Sequence, residues 1–342
     1  RPSNMHFPNL IDTIFTLTLL FATFLHHPCH SELCHPQDKK ALLQIKQAFN
    51  NPRVFSTWDP QTDCCVDWSV IQCNDTTHRI ITFQLLSGDL AGPIPSQFGD
   101  LPYLETLWLH KQPNLTGPIP RALTKLLKLR FLVISWANLS GPVPDFLSEI
   151  KTLQYVQFSF NNLTGPIPGS LSKLPDLGGI SLDRNRLTGP IPDSFGGFQG
   201  NDFYLQLSHN QLSGTIPASL GSMLGFSHVD LSRNKLEGDA SVFFGSNKGM
   251  LQYVDLSRNL LEFNLSEVEF PENLFWLDLN HNKITGSLPV GLTALKYFQG
   301  LNVSYDRLCG RIPVGGALQS FDDTSYFHNR CLCGAPLEGC KK

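Results

Sequence analysis

The sequence predicts an α/β solenoid, a right-handed superhelix with a parallel β-sheet on its concave side and short or 3₁₀ helices on its convex side. Three observations predict this fold. The motif L-x-G-x-I-P recurs about every 24 residues, and 27 Gly and 24 Pro are spread along the 342 residues as regular turns require. Cysteines occur only near the two ends, where a solenoid must cover its core.

Composition and motifs exclude several classes of function. Charged residues make up 16% of the chain against 41% hydrophobic residues, so the chain is neither disordered by composition nor a charged coiled coil. The net charge of −3 lacks the basic excess of a general nucleic-acid binder. Residues 170–173 match S-x-x-K without its partner motifs, and no G-x-S-x-G, H-E-x-x-H or P-loop occurs. We therefore expect that the protein is not an enzyme and that it has no catalytic residue, no metal site and no cofactor.

The first element, residues 1–31, is predicted to be a secretory signal peptide. Its apolar run at residues 10–25 is too short for a comfortable membrane span, and a polar stretch follows it. Asp12 interrupts the run, and the first methionine is Met5, which we expect to be the true start. The alternative is a buried N-terminal helix. No later stretch reaches 18 apolar residues, so we expect a secreted protein without a membrane span.

Two cysteine-rich caps are predicted next, at residues 32–79 and 314–342. In the first, apolar residues at helical spacing over residues 38–49 precede a cysteine-rich segment at residues 63–73. Within each cysteine group three connectivities are possible, but the adjacent Cys64 and Cys65 are poor partners for each other. The one-residue spacing of Cys331 and Cys333 disfavours a zinc site. The expected disulfide cysteines are Cys34, Cys64, Cys65, Cys73, Cys309, Cys331, Cys333 and Cys340.

Ten leucine-rich repeats are predicted between the caps, over residues 80–313. Their pattern, L-x-L-x-x-N followed by the glycine motif, places leucines inside and the intervening residues outside a short strand. The asparagines are expected to satisfy backbone groups of neighbouring turns. A double step hides one further unit near Phe263. The marker glycines are Gly92, Gly117, Gly141, Gly165, Gly189, Gly214, Gly238, Gly286 and Gly310.

Specific segments resemble the plant polygalacturonase-inhibiting proteins. These are DKKALLQIK and DCC in the first cap, the G-x-I-P repeats, SVFFG at residues 241–245, and CLCGAPLEGC at residues 331–340. The resemblance covers residues 32–340. It implies a monomeric protein of the apoplast or cell wall whose partners are a fungal or insect polygalacturonase and pectin. It also implies the bridges Cys34–Cys64, Cys65–Cys73, Cys309–Cys331 and Cys333–Cys340.

Outward positions of the strands supply the candidate enzyme-binding residues. Asp230, Asp255 and Asp278 occupy equivalent places, so their carboxylates should stack about 5 Å apart. Aromatic residues precede the first strand leucine, with Trp108 and Trp136 nearby, and exposed aromatics commonly anchor protein interfaces. Alternatively, Ser232 and Ser257 hold the carboxylates, and the rings only stack across strands. The predicted face comprises Asp183, Asp230, Asp255, Asp278, Tyr155, Gln157, Tyr204, Gln206, His228, Tyr253 and Trp276.

A further ladder lies just before the asparagine positions. It includes Phe160, His281 and Tyr305, and between them a cationic stripe suited to an extended polyanion. The family resemblance implies that this polymer is pectin. Alternatively, the arginines pair locally with the aspartates. The stripe consists of Arg184, His209, Arg233 and Arg258.

Six N-x-S/T sequons predict N-glycosylation, at Asn74, Asn114, Asn138, Asn162, Asn264 and Asn302. The function that the resemblance implies is inhibition of a pathogen polygalacturonase through the concave face, which protects cell-wall pectin. The alternatives are a ligand-binding receptor-like ectodomain and an ice-binding repeat protein. A receptor needs a transmembrane segment or a peptide ligand, and an ice binder needs a flat, uncharged face. The sequence shows neither feature.

Overall fold

The structure of the protein, a computed structural model, describes residues 33–341. The predicted signal peptide, with Met5, lies outside the described residues. In the described part of the chain, no helix is both long enough and apolar enough to cross a membrane.

The N-terminal cap begins with helix α1, Pro36–Ala48. Its first turn is favourable because Pro36 stands at the start and the His35 ring accepts a hydrogen bond from the Gln37 N–H. The buried Asp38 carboxylate is ion-paired with Arg79 at 2.8 Å and also accepts from the Ile80 N–H at 2.9 Å. Strand β1, Ile71–Cys73, then pairs antiparallel with β2, Ile80–Leu85.

Parallel strands one repeat apart form the concave sheet from β2 onward. Tyr155, Gly179 and Tyr204 are aligned in register, and so are their inward neighbours. The strand leucines and their equivalents are fully buried, so the alternation expected from the repeat is present. The remaining concave strands are β4 (Thr106–Gly117), β5 (Phe131–Pro142), β6 (Tyr155–Gln157), β8 (Gly179–Ser181), β10 (Phe203–Gln206), β12 (Phe226–Asp230), β14 (Tyr253–Asp255), β16 (Trp276–Asp278) and β17 (Gly300–Asn302).

A second set of short parallel strands lies further along each repeat. It uses the later parts of β4 and β5, with pairings such as Gly141 to Leu163 and Gly165 to Leu187. The marker glycines all have positive φ, a conformation that glycine adopts without a steric cost. The other strands of the set are β3 (Gly92–Pro93), β7 (Asn162–Gly165), β9 (Arg186–Gly189), β11 (Gln211–Thr215), β13 (Lys235–Gly238) and β15 (Leu260–Leu261).

Short 3₁₀ helices form the return on the convex side. A proline precedes most of them, and each of those in the repeats buries an apolar side chain, such as Leu123 or Leu171. Together with the sheet they confirm the predicted solenoid. Their bounds are Arg53–Phe55, Ser96–Asp100, Arg121–Lys125, Asp145–Glu149, Gly169–Lys173, Asp193–Gly197, Ala218–Ser222, Ser241–Phe243, Leu265–Glu267, Val290–Ala294 and Asp323–Ser325.

Six asparagines, all buried except the half-buried Asn234, tie successive repeats together, as expected. Asn161 accepts from the Leu139 N–H at 3.1 Å and donates to the carbonyls of Ile134 and Phe158 at 2.8 and 3.0 Å. The same bonds recur at Asn185, Asn210, Asn234, Asn259 and Asn282. At the next position, Asp306 accepts from the Ile284 N–H at 3.0 Å, but its other oxygen is buried without a partner.

Disulfides close both ends of the described chain. They join Cys34 to Cys64, Cys65 to Cys73, Cys309 to Cys331 and Cys333 to Cys340, which is the pairing that the family resemblance implies. Cys309 begins β18 (Cys309–Arg311), and Cys331 and Cys333 bound β19 (Cys331–Cys333), which pairs with β18 in parallel. The sulfur atoms of Cys34, Cys64 and Cys65 lie close together, but all three are in bridges and therefore offer no thiolate to a metal.

Candidate functional site

The carboxylates of Asp230, Asp255 and Asp278 form one column on the concave sheet. They end β12, β14 and β16, and each faces the next in direct register. Neighbouring parallel strands lie about 4.8 Å apart, so the three side chains that the sequence predicts to stack do lie side by side. All three are half-buried.

Local hydrogen bonds hold this acidic column in place. Asp230 accepts from the N–H and hydroxyl of Ser232 at 3.0 and 2.7 Å, and Asp255 accepts from the Ser257 N–H at 2.9 Å. Asp278 accepts from the Asn280 N–H at 3.0 Å. The serine bonds expected as the structural alternative are therefore present. They orient the carboxylates without neutralising them, because no donor in these bonds carries a charge.

Burial and the neighbouring carboxylates raise the pKa of two members of the column, Asp255 and Asp278. The pKa of Asp255 is raised to about 6, chiefly by burial and in part by the charges of Asp230 and Asp278, although the Ser257 hydrogen bonds act in the opposite direction. Burial likewise raises the pKa of Asp278, although Asn280 hydrogen bonds and the Arg258 charge act in the opposite direction. A cationic partner would relieve this repulsion, so the column is suited to basic groups.

Asp183 occupies a different place from the other three aspartates. It follows β8, at the position that Ser208 and Ser232 occupy in later repeats. The Ser159 hydroxyl donates to its carboxylate at 2.5 Å, and burial raises its pKa. The Asp183 carboxylate, which we expected to widen the acidic surface, is therefore bonded to the preceding repeat and lies beside the column.

The aromatic residues form a second column next to the carboxylates. Ring centroids are 5.9 Å apart for Tyr204 and His228, 4.1 Å for His228 and Tyr253, and 6.1 Å for Tyr253 and Trp276, and all three pairs are stacked. The cross-strand stacking proposed as the alternative is thus present. Tyr204 remains 40% exposed, so part of the column stays accessible to a partner.

Polar side chains link the N-terminal part of this face. The Tyr155 hydroxyl is 2.9 Å from the Ser181 hydroxyl, which donates to Gln206 at 2.8 Å. Gln206 Nε2 is in turn 3.2 Å from His228 Nε2. Burial lowers the pKa of His228, which favours its neutral form. The row crosses four repeats and presents a preorganised hydrogen-bonding surface. Gln157, half-buried, lies in register with Ser181.

The ladder just before the asparagine positions consists of residues whose backbones have the left-handed conformation. Their φ values lie between 52° and 58°, a conformation that non-glycine residues adopt uncommonly. From Trp136 to Tyr305, their N–H groups bond carbonyls of the next turn, as Arg184 does to Ser208 at 2.9 Å and Arg233 to Ser257 at 2.8 Å. The members are Lys111, Trp136, Phe160, Arg184, His209, Arg233, Arg258, His281, Tyr305 and His328. We call this set the αL rim.

The arginines of the rim are available to a ligand. Arg184, Arg233 and Arg258 are exposed, and within residues 33–341 none of them is in an ion pair. The ion pairs with Asp183, Asp230 and Asp255 that we considered as the alternative are therefore not formed. The Arg184 guanidinium lies over the Phe160 ring at 4.9 Å. His209 lies between Arg184 and Arg233, and its pKa is lowered by burial first and then by those two charges.

Aromatic stacks flank the arginines at both ends of the αL rim. Trp136 and Phe160 stack at 3.8 Å, and Tyr305 stacks on His281 and on His328 at 4.2 Å each. Sequence reasoning grouped Trp136 with the aromatic column, but the structure places it on the rim. Ala137 stands where later repeats have asparagine, so the signal that identifies Trp136 is its place 24 residues before Phe160. Trp108 is separate, in register with Gln84 and Val133 on the concave sheet.

The six sequon asparagines all lie among the described residues, and none is buried. Asn302 ends β17 in register with Asp278, so a glycan there would cover the C-terminal end of the acidic column. Asn138 and Asn162 instead lie beside the aromatic stack of the αL rim, and Asn162 donates to Asn138 at 2.7 Å.

Comparison with known proteins gives matches over nearly the whole chain. The family model "Leucine rich repeat N-terminal domain" matches residues 35–74, and "Leucine Rich Repeat" matches residues 152–174, 203–223 and 273–295. A polygalacturonase inhibitor of Pyrus communis is 63% identical over 331 residues, covering 96% of this chain and 98% of the relative. That of Vitis vinifera is 59% identical over 330 residues, with the same shares of 96% and 98%.

A solved structure of a plant ice-binding protein is also similar. It superposes with a TM-score of 0.87 at 48% identity, over 90% of this chain and 98% of that one. Similar chains are therefore named both as polygalacturonase inhibitors and as an ice-binding protein.

Proposed function

Because the chain belongs to the polygalacturonase-inhibitor family of leucine-rich repeat proteins, we propose that it binds a fungal or insect polygalacturonase through its concave face and keeps pectin out of the enzyme's cleft. The family consists of inhibitor proteins, and this chain is accordingly an inhibitor and not an enzyme. The acidic column of Asp230, Asp255 and Asp278 is the observation that carries the choice of surface.

Charge complementarity supports this surface. A cleft that accepts polygalacturonate, a polyanion, must present cationic groups, and a protein that covers it benefits from carboxylates that face outward. The column provides three such groups, and a cation would favour the carboxylates of Asp255 and Asp278, whose pKa values are raised. The adjacent aromatic column and the row from Tyr155 to His228 supply fixed contact area that loses little conformational entropy on binding.

Titration of the purified protein against a panel of fungal polygalacturonases tests the proposal. We expect inhibition of at least one enzyme, and an association rate about tenfold lower at low salt for the Asp230→Asn, Asp255→Asn double variant. Asparagine keeps the accepting oxygen for Ser232 and Ser257, so the variant should fold. The matched control is Glu237→Gln, Glu262→Gln, which removes two exposed carboxylates, one in β13 and one directly after β15.

Two outcomes would count against this assignment. If no polygalacturonase is inhibited, the family activity does not extend to this chain. If the folded double variant inhibits as well as the parent, the acidic column is not the enzyme-facing surface, and the interface must lie on another face or on a cap.

We also propose that the protein is secreted as a monomer to the apoplast and contacts pectin through Arg184, His209, Arg233 and Arg258. Four disulfides suit an oxidising compartment. The unpaired arginines stand at equivalent positions of the αL rim, so an extended polymer can run along them. Each guanidinium offers a planar pair of donors to a carboxylate of the polymer.

Ice binding is a second candidate function. The similar ice-binding structure motivates it, and so does a row of exposed hydroxyl side chains on the second set of strands that the sequence analysis did not single out. The row is Thr116, Ser140, Thr164, Thr188 and Ser213. Glu237 and Glu262 occupy the next two positions and are exposed, which interrupts the uncharged surface and favours the inhibitor.

An ice-recrystallisation assay separates the two candidates. If ice binding is present, Thr188→Leu with Ser213→Leu should abolish it, while the Asp230→Asn, Asp255→Asn variant should retain it. Recrystallisation at the rate of a serum albumin control would eliminate this candidate.

A further inference from the structure

We propose that N-glycans on Asn138 and Asn162 fold back onto the stacked rings of Trp136 and Phe160, so that the sugar becomes a fixed part of the αL rim. The proposal goes beyond inhibition and rests only on passage of the chain through the secretory pathway. It names the occupant of an exposed aromatic surface, and that occupant is attached to the same chain.

Spacing brings each ring to its glycan. Trp136 stands two residues before Asn138 of the sequon Asn138-Leu139-Ser140, and Phe160 stands two residues before Asn162 of Asn162-Leu163-Thr164. Both aromatic residues have left-handed backbones, with φ of 54° and 55°. This conformation turns the chain off the concave strand, so that ring and asparagine reach the same side of the rim.

A shallow depression of about 390 Å³ provides the space. The two rings and both sequon asparagines line it, together with Pro113 and Arg184. Trp136 is 47% exposed, and its ring is parallel to within 14° to that of Phe160, with centroids 3.8 Å apart. Exposed Trp136 and half-buried Phe160 thus offer apolar surface beside both sequons, which a sugar attached there can cover.

Sugar chemistry fits such a surface. One face of an N-acetylglucosamine ring carries axial C–H bonds that are polarised positively, and the face of an aromatic ring is negative. The exposed ring of Trp136 offers this face, whereas Phe160 is stacked between Trp136 and the Arg184 guanidinium and offers its edge. The attachment also leaves the asparagines their present hydrogen bonds. Asn138 donates to the Pro113 carbonyl at 3.0 Å, and a glycosylated amide nitrogen retains one N–H for this bond.

The other four sequons serve as internal controls. The residue two positions before the asparagine is Gln72 for Asn74, Gln112 for Asn114, Glu262 for Asn264 and Gly300 for Asn302. None of these is aromatic. Asn264 and Asn138 are both exposed, whereas Asn162 is half-buried, so the comparison at equal exposure is between Asn138 and Asn264.

The arrangement has a consequence for the pectin stripe. Glycans that are attached to Asn138 and Asn162 and lie against the Trp136–Phe160 pair would cover the N-terminal end of the αL rim. They would reach as far as Arg184, whose guanidinium lies over the Phe160 ring. A polymer lying on the rim would then contact it from Arg184 toward Arg258 only. The glycans also flank Ser140 and Thr164, two members of the hydroxyl row.

Site-resolved deglycosylation tests the proposal on the full chain secreted from cultured plant cells. Glycopeptide mass spectrometry should find sugar on Asn138 and Asn162, and native release by peptide-N-glycosidase A should be about threefold or more slower there than at Asn264. Trp136→Ala with Phe160→Ala should bring release at both sites to the Asn264 rate.

A second measurement leaves the rings intact in case that variant folds poorly. Ser140→Ala with Thr164→Ala removes both glycans, and hydroxyl-radical oxidation of Trp136 should then rise about threefold or more relative to the glycosylated parent. Oxidation of Trp108 supplies the control. Empty sequons at Asn138 and Asn162, release as fast as at Asn264, or equal oxidation of Trp136 with and without glycan would each overturn the proposal.

Discussion

Asp306 has a carboxylate oxygen where the asparagines of the preceding repeats have an amide nitrogen. Six preceding repeats place asparagine here, which accepts from one N–H and donates to carbonyls of two turns. Asp306 keeps the acceptor bond but leaves its second oxygen buried without a partner. Burial raises the pKa of this carboxyl to about 8, and the Asp278 charge adds to the shift. The protonated acid can donate as asparagine does, whereas the carboxylate cannot.

Asp306→Asn should therefore stabilise the protein, and more so at higher pH. The folded state binds this proton more tightly than the unfolded chain, so the contribution of Asp306 to stability is full below about pH 4 and is lost as pH rises toward about 8. An unsatisfied buried group costs about 1–3 kcal/mol, which corresponds to a gain in Tm of roughly 2–6 °C at pH 8.

Calorimetry at pH 4.5 and pH 8 measures this difference. The gain should be much smaller at the lower pH. Exposed Asp176 provides a control, since Asp176→Asn should leave the difference between the two pH values near that of the parent. A gain of equal size at both pH values would show that protonation of Asp306 is not its origin.

At the scale of elements, the concave strands and the αL rim separate two kinds of charge. Strand register stacks the acidic column, and the left-handed turn that follows each strand carries the arginines to the edge. The arginines influence the aspartates without forming ion pairs, as the lowering effect of Arg258 on the pKa of Asp278 indicates. One repeat therefore offers an acidic and a basic surface to different partners.

The acidic column should make enzyme binding depend on pH. Burial raises the pKa of Asp255 to about 6, and binding to a cationic cleft favours its carboxylate, so affinity should increase as pH rises through about 6. The ratio of Kd for Asp255→Asn to Kd for the parent should be near one at pH 4.5 and several-fold at pH 7. Comparing the two proteins against one enzyme cancels the titration of that enzyme. A ratio that does not change with pH would contradict ionisation of Asp255 as the cause.

The rim arginines should control retention on polygalacturonate. Changing Arg184, Arg233 and Arg258 together to Gln should weaken binding and flatten its salt dependence, because fewer ion pairs remain to be screened. The matched control replaces three exposed lysines of the convex side, Lys128, Lys151 and Lys173, by Gln and removes the same charge. Chromatography on the immobilised polymer at low and moderate salt measures both. Equal retention of the two triple variants would show that the rim arginines do not bind pectin.

At the scale of the whole molecule, the two ends are held by covalent bonds and the middle by packing. All four bridges lie in the N-terminal and C-terminal cysteine groups, whereas asparagine bonds and buried leucines connect the repeats between them. Because each repeat contacts mainly its neighbours, stability is expected to vary along the chain.

Reduction should consequently loosen the ends first. Loss of a native bridge typically costs about 2–5 kcal/mol, so amides near Cys34 and Cys340 should exchange faster in reductant while those of β8 to β14 keep their protection. Hydrogen exchange followed by mass spectrometry, with and without dithiothreitol, resolves the regions. Simultaneous loss of protection in the middle repeats would contradict repeat-by-repeat stability.

The sequence by itself determined the solenoid, the identity of the inward leucines and the alignment of Asp230, Asp255 and Asp278. A 24-residue period places equivalent residues on neighbouring strands, so a ladder follows from the repeat alone. The bonding of the asparagines was also predictable, because a buried amide must satisfy its donors and acceptor.

Only the tertiary structure decided what the ladder residues do. Whether Arg233 pairs with an aspartate or stays free depends on the left-handed turn that carries it to the rim, and no local pattern in one repeat states that geometry. The placement of Trp136 on Phe160 and the orphaned oxygen of Asp306 likewise arise between residues one repeat apart. The sequence specifies which side chains recur, whereas distances and burial between successive turns set their charge, exposure and partners.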